Sequence, residues 1–283
     1  MSFAEEYQLN EYIPPVEQLS KSVFLPMTPD MGVLEIYRYT KDGVDIYVMK
    51  NTSYAPLEMT VELDPSTINT TGKIPALIRV PARGTIAAFK LWPRDRTSSW
   101  SYVYNIPSFR IGYSSNIHTG GSGYHLPYLD GAAYPVLQTE NGSFSHYGDN
   151  AYAIDFDMPE GTPIAAIRGG AVLFVKQDSN EGGSDRTTYE NKGNYVWVIH
   201  DDGTLANYYH LRQNGAAVKI GDRVNAGDII GYSGNTGFST CPHLHVQLSL
   251  CKGLSGWEPI RIRFKGIDGA LLYGEKYTAV PVK

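Results

Sequence analysis

His243-Leu244-His245-Val246-Gln247-Leu248 alternates polar and apolar residues, the pattern of a half-buried β-strand. Side chains at i and i+2 of a strand share a face, so His243 and His245 stand side by side. Two imidazoles on one face are costly as plain core residues. They make sense where one binds a metal and the other moves a proton beside it; a pair of surface histidines is the bland alternative. A metal needs several converging donors, and the others must come from elsewhere in the chain.

The sequence has neither His-Glu-x-x-His nor Cys-x-x-Cys, which excludes the common helical protease motif and zinc fingers. His146 and Asp155 are the best remaining donors. Ser145-His146 follows a turn, and Tyr152-Ala153-Ile154-Asp155-Phe156 reads as a strand. An ionised carboxylate between Ile154 and Phe156 needs a charge partner or a metal, unless it sits at a solvated strand end. Asp149 and Asp157 compete with it. His210, in Asn207-Tyr208-Tyr209-His210-Leu211, reads by itself as a satisfied structural histidine, and His200 as a turn residue before Asp201-Asp202-Gly203. His118 and His125 lie in a Gly-, Ser-, Tyr- and Asn-rich stretch, 112–145, read as a loop region or junction.

The rest of the 283 residues supports a mostly β chain: 29 glycines, 17 prolines and 21 tyrosines punctuate many short apolar runs. Lys41-Asp42-Gly43 joins strand-like runs at 33–39 and 44–49 as a hairpin signal. Leu57, Met59, Val61 and Leu63 alternate strictly, and further strands are expected at 76–80, 85–91 and 100–104. These predict a small β-sandwich-like accessory domain over 20–112, after a tail at 1–19. A junction at 113–125 leads to a second domain at 126–283, with strands near 152–156, 170–175, 195–200, 206–211, 228–232 and 243–250. A balance of 24 basic against 29 acidic residues, with no basic block, argues against a nucleic acid partner. No run of 18 apolar residues exists to cross a membrane, and the acidic start lacks a signal core. A bridge between Cys241 and Cys251 would require the chain to turn back early, because ten residues of strand hold them too far apart.

Taken together, Ser145-His146 through Asp155, Gly161-Thr162-Pro163-Ile164-Ala165-Ala166, Tyr209-His210-Leu211, Gly221-Asp222-Arg223-Val224 with Gly227, and Gly234-Asn235-Thr236-Gly237 leading to His243-Leu244-His245 resemble the M23 (lysostaphin/LytM-type) zinc metallopeptidases. Five motifs in the family's order, over about 126–270, make a specific signal. The resemblance implies an antiparallel-β LytM-type metallopeptidase domain with one zinc held by His146, Asp155 and His245, and catalytic histidines His210 and His243. The first spacing is longer than the family's short His-x3-Asp form, and Cys241 stands where a small residue is usual. Tyr208 is expected on the His210 face, lining the cleft. The implied substrate is a peptide cross-link of bacterial peptidoglycan, preferentially one containing a D-amino acid. Such a substrate predicts a periplasmic or extracellular protein, with the signal peptide absent from this chain. One alternative is a silent module of the same fold that binds or activates another wall hydrolase; filled ligand positions argue against it. Another is self-inhibition, with Asn116, His118 or His125 reaching the cleft as a plug.

Overall fold

The computed structural model describes residues 12–28, 32–63, 68–70, 76–95, 97, 104–112, 123–251 and 257–281, and it is mostly antiparallel β-sheet. The chain divides into two units, Met1–Asn116 with Gly253–Ser255, and Ile117–Lys252 with Gly256–Lys283.

The first unit holds β1 (Ser20–Thr28), β2 (Gly32–Lys41), β3 (Val44–Asn51), β4 (Leu57–Leu63), β5 (Ile68–Thr70), β6 (Ala76–Val80), β7 (Thr85–Pro93) and β8 (Tyr104–Ile111). They form a five-stranded sheet in the order β1-β2-β3-β7-β5 and a three-stranded sheet in the order β6-β4-β8. Asp42 and Gly43 both take positive φ (54° and 73°), which is the turn their chemistry predicts between β2 and β3. The alternate residues Leu57, Met59, Val61 and Leu63 of β4 are buried. Tyr47 stacks on Phe89 with ring centroids 4.6 Å apart, tying β3 to β7. The strand expected at 100–104 falls mainly outside the described residues, and β8 begins at Tyr104.

The second unit holds β9 (Ala133–Gln138), β10 (Ile154–Phe156), β11 (Pro163–Ala165), β12 (Gly170–Lys176), β13 (Gly182–Gly183), β14 (Asn194–Ile199), β15 (Thr204–Ala216), β16 (Arg223–Val224), β17 (Ile229–Ser233), β18 (Gly237–Phe238), β19 (Leu244–Cys251), β20 (Trp257–Ile260) and β21 (Lys276–Thr278). A short helix, α1 (Arg186–Tyr189), starts from Asp185, whose side chain accepts from the Thr187 backbone N–H. The main sheet runs β16-β12-β14-β15-β19-β10-β9-β21. One face packs the core: Leu244, Val246 and Leu248 of β19 with Val196 and Val198 of β14, all fully buried. The opposite face of β19, β15 and β14 carries His245, Tyr209 and Tyr195 toward a groove.

One correction concerns 112–145. Read as loop, it contains β9, which pairs with β10 on one side and β21 on the other. One of its two partners, Lys276–Thr278, is far away in sequence, and local composition does not reveal such a partner.

Candidate metal centre and active site

The groove floor is a single row of side chains across the sheet. Antiparallel register sets Gln138 opposite Asp155, Asp155 opposite His245, His245 opposite Tyr209, and Tyr209 opposite Tyr195. Directly opposed residues share a face, so strand pairing alone gathers the carboxylate and the imidazole.

His146 comes from the loop after β9 and is completely buried. Its Nδ1–H donates to the Thr139 carbonyl at 2.8 Å, which leaves a lone pair on Nε2. That Nε2 lies 3.1 Å from Asp155 Oδ1, is buried, and makes no hydrogen bond. His245 Nδ1 lies 2.9 Å from the same oxygen. Donor atoms of His146, Asp155 and His245 all fall within 4.8 Å of one another, a cluster that could hold a metal ion. Burial by itself would raise the Asp155 pKa, but the flanking imidazoles of His146 and His245 more than offset it and hold the carboxyl well below the ordinary range. Asp149 and Asp157 are exposed and stand outside this cluster.

His210 reaches the site through a bulge. Regular alternation would set it on the Tyr208 face. Instead it adopts φ 65°, and pairing with β14 skips it: Tyr209 faces Tyr195 while Leu211 faces Asn194. The extra residue turns His210 to the groove, its ring 5.9 Å from that of His245 and 4.5 Å from that of His243. A left-handed non-glycine residue costs roughly 1–2 kcal/mol, strain of the kind that gathers at functional sites. His210 Nδ1–H donates to the Thr236 carbonyl at 2.7 Å, and His243 Nδ1–H to the Cys241 carbonyl at 2.8 Å. Each therefore keeps a proton-accepting Nε2 when neutral, and that of His243 lies 4.0 Å from Asp155 Oδ2. Burial, with the neighbouring histidines, pushes the His210 pKa down to about 3. Burial likewise lowers that of His243, against the opposing pull of Asp155.

The loop carrying Thr236 is packed to its limit. Gly237 has φ 82°, and a Cβ there would lie 2.6 Å from Gly193 Cα. Thr236 Oγ1 donates to the Leu211 carbonyl at 2.7 Å and accepts from the Asn194 N–H at 2.9 Å, which fixes the carbonyl that orients His210. The groove has a volume of about 670 Å³ and includes Phe144 and Phe238, stacked 5.5 Å apart.

The same bulge corrects the reading of Tyr208. It is fully buried, and its hydroxyl accepts from the Ile167 N–H at 2.8 Å, so it belongs to the core. Tyr209 lines the groove instead, a residue that regular alternation had assigned to the other face. Of the remaining histidines, His125 is buried, with Nε2 2.8 Å from Asp130. His200 is buried with its Nδ1–H on the Gly169 carbonyl at 2.9 Å. Asn116 and His118 lie outside the described residues. Cys241 is a free thiol.

Residues 149–255 match the model of Peptidase family M23; the segment includes Asp155, His210, His243 and His245, and begins three residues after His146. The chain is 44% identical over 101 residues to the glycyl-glycine endopeptidase ALE-1 of Staphylococcus capitis, covering 35% of this chain and 25% of that protein. It is 37% identical over 94 residues to the peptidoglycan DD-endopeptidase ShyA of Vibrio cholerae, covering 33% of this chain and 19% of that protein. It thus spans a quarter or less of the length of these relatives. Among solved structures, the catalytic domain of lysostaphin from Staphylococcus simulans is 31% identical, with a TM-score of 0.31, over 47% of this chain and 88% of that one. By that match, residues 149–255 form the segment of this chain that is a peptidase domain of family M23.

Proposed function

We propose that the chain is a zinc-dependent endopeptidase that hydrolyses peptide cross-links of bacterial peptidoglycan. One observation carries the reading: donor atoms of His146, Asp155 and His245 converge within 4.8 Å, at a groove lined by Asp155, His245, His210 and His243. The donor set suits zinc, because two imidazoles and a carboxylate leave one tetrahedral position open. The buried His146 Nε2, without a hydrogen bond, is an atom in need of such a partner. One zinc per chain is the expected complement. The chemistry that zinc supplies when bound there is Lewis acidity toward a carbonyl oxygen and toward water.

The chain's own residues do the rest. Thr139 orients His146 through Nδ1, and Asp155 enters ionised. His210 and His243 rest neutral, each tied through Nδ1 to a backbone carbonyl, so that Nε2 is the atom at which a proton is gained. A proton is taken there from the attacking water, and one is delivered from an Nε2 of the pair to the leaving amine. The two rings share these acid and base roles.

The substrate class is supported by relatives named as glycyl-glycine and peptidoglycan DD-endopeptidases. A D-amino-acid cross-link is the proposed bond. A glycine bridge is the second reading, favoured by 44% identity to the glycyl-glycine enzyme against 37% to the DD-endopeptidase. Either substrate lies outside the cytoplasmic membrane, so a periplasmic or extracellular location is part of the proposal. The test pairs metal analysis with digestion of purified walls of both bridge types, with products identified by mass spectrometry. About one zinc per chain and soluble peptide products are expected, and both should vanish in His146→Ala and His245→Ala. Digestion that survives in both variants refutes the site; zinc-loaded protein that cuts neither wall supports the silent binding module.

A further inference from the structure

The row that forms the metal centre continues beyond it. Tyr195 on β14 stands opposite Lys176, the last residue of β12. Lys176, Tyr195, Tyr209, His245, Asp155 and Gln138 thus form one line across the sheet, and all six line the groove. From His245 to Lys176 there are three strand spacings, about 14 Å at about 4.8 Å each. An extended peptide advances about 3.3–3.6 Å per residue, so about four residues span that distance. Two tyrosines tile the floor between the ends, flat surfaces on which a peptide lies with little loss of side-chain freedom.

The far end of the row carries an exchangeable positive charge. The ammonium of Lys176 is 3.1 Å from Asp178, whose side chain is 84% exposed. An ion pair of that kind contributes little and yields readily to a better-placed anion. Arg186, the other Lys or Arg lining the groove, lies on α1 and outside this row, its guanidinium 4.7 Å above the Phe238 ring and 3.0 Å from Glu190.

We infer that Lys176 is a carboxylate-binding subsite, and that the groove selects an acidic peptide whose carboxylate lies about four residues from the metal centre. This rests on the proposed hydrolase for the direction in which substrate lies. The carboxylate is either the peptide's C-terminus or an acidic side chain, and the test separates them.

The full chain, Lys176→Met and Lys176→Arg are titrated with peptidoglycan stem peptides in three forms: all carboxylates free, only the C-terminal one amidated, and only the side-chain ones amidated. Cleavage is followed in parallel. The wild type is expected to bind the free acid about tenfold more tightly than one of the two amides, the effect of a single charge-assisted contact. That amide identifies the carboxylate. The gap should disappear in Lys176→Met and persist in Lys176→Arg. Equal affinity for all forms, a gap that survives in Lys176→Met, or no binding of any form overturns the inference. A Lys176-dependent gap without cleavage leaves the subsite standing and refutes the hydrolase. Cleavage with no gap refutes only the subsite.

Discussion

Gly237→Ala should separate the proposed proton-handling half of the site from the proposed metal-binding half. Gly237 has φ 82°, and a Cβ there would lie 2.6 Å from Gly193 Cα and 2.7 Å from Gly193 N, both backbone atoms that cannot swing aside. The left-handed conformation costs roughly 1–2 kcal/mol for an L-side chain, and forcing an atom into packed structure typically adds 1–3 kcal/mol, about 2–5 kcal/mol together. Gly43→Ala is the control: its φ is 73° but nothing lies within 4 Å of the added atom, so only the first cost applies, about 1–2 kcal/mol. The extra strain at Gly237 falls on the Thr236 carbonyl, which holds His210 Nδ1 at 2.7 Å. A catalytic group displaced by about 1 Å can lose about a hundredfold in rate. The atoms nearest the added Cβ belong to Gly193 and to His210, whose Nδ1 is 3.6 Å away, and to none of the three proposed ligands, so zinc content should remain near one per chain. Urea unfolding, zinc analysis and wall digestion on the same preparations read all three quantities. A Gly237→Ala cost no larger than that of Gly43→Ala, or full activity at normal zinc content, would refute the claim that this loop is what holds His210.

Three further outcomes follow from the geometry. His210→Ala and His243→Ala should each keep zinc but lose about 10²–10⁴-fold in digestion rate, as removal of a general acid or base does; zinc loss in either would make it a ligand instead. Tyr208→Phe removes the hydroxyl that accepts from Ile167 and should lower stability by about 1–3 kcal/mol while digestion per folded molecule stays unchanged; a change in KM would return Tyr208 to the cleft. Burial above all pushes the His200 pKa down to about 4, against an unfolded value of 6.5. The unfolded chain therefore binds a proton that the folded chain refuses, and stability falls as pH drops from 6.5 through 4, by up to about 3 kcal/mol. His200→Asn keeps a donor for the Gly169 carbonyl and removes the titration, so its urea midpoint should fall less than the wild type's between pH 7 and 4.5; parallel curves would count against this.

Much of the candidate site was legible because its residues sit in short local patterns. His243-Leu244-His245 shows its shared face through the two-residue period of a strand, and Asp155 stands out because a carboxylate between Ile154 and Phe156 needs a partner. The hairpin at Asp42-Gly43 was equally legible, since positive φ is a property of those residue types. Tyr208 was misassigned because one positive-φ residue, His210, broke the alternation on which the reading relied. Strand β9 escaped notice in a Gly- and Ser-rich stretch, and one of its two partners, β21, lies about 140 residues downstream.

The sequence by itself therefore determined which chemical groups are available and the β-rich scaffold that carries them, because residue type and local period act over a few positions. Only tertiary structure decided how those groups meet. Register across β9, β10, β19, β15, β14 and β12 sets Gln138, Asp155, His245, Tyr209, Tyr195 and Lys176 in one line, and a bulge turns His210 toward it. Pairing between strands far apart in the chain is fixed by burial of the whole opposite face, and no local stretch contains that information.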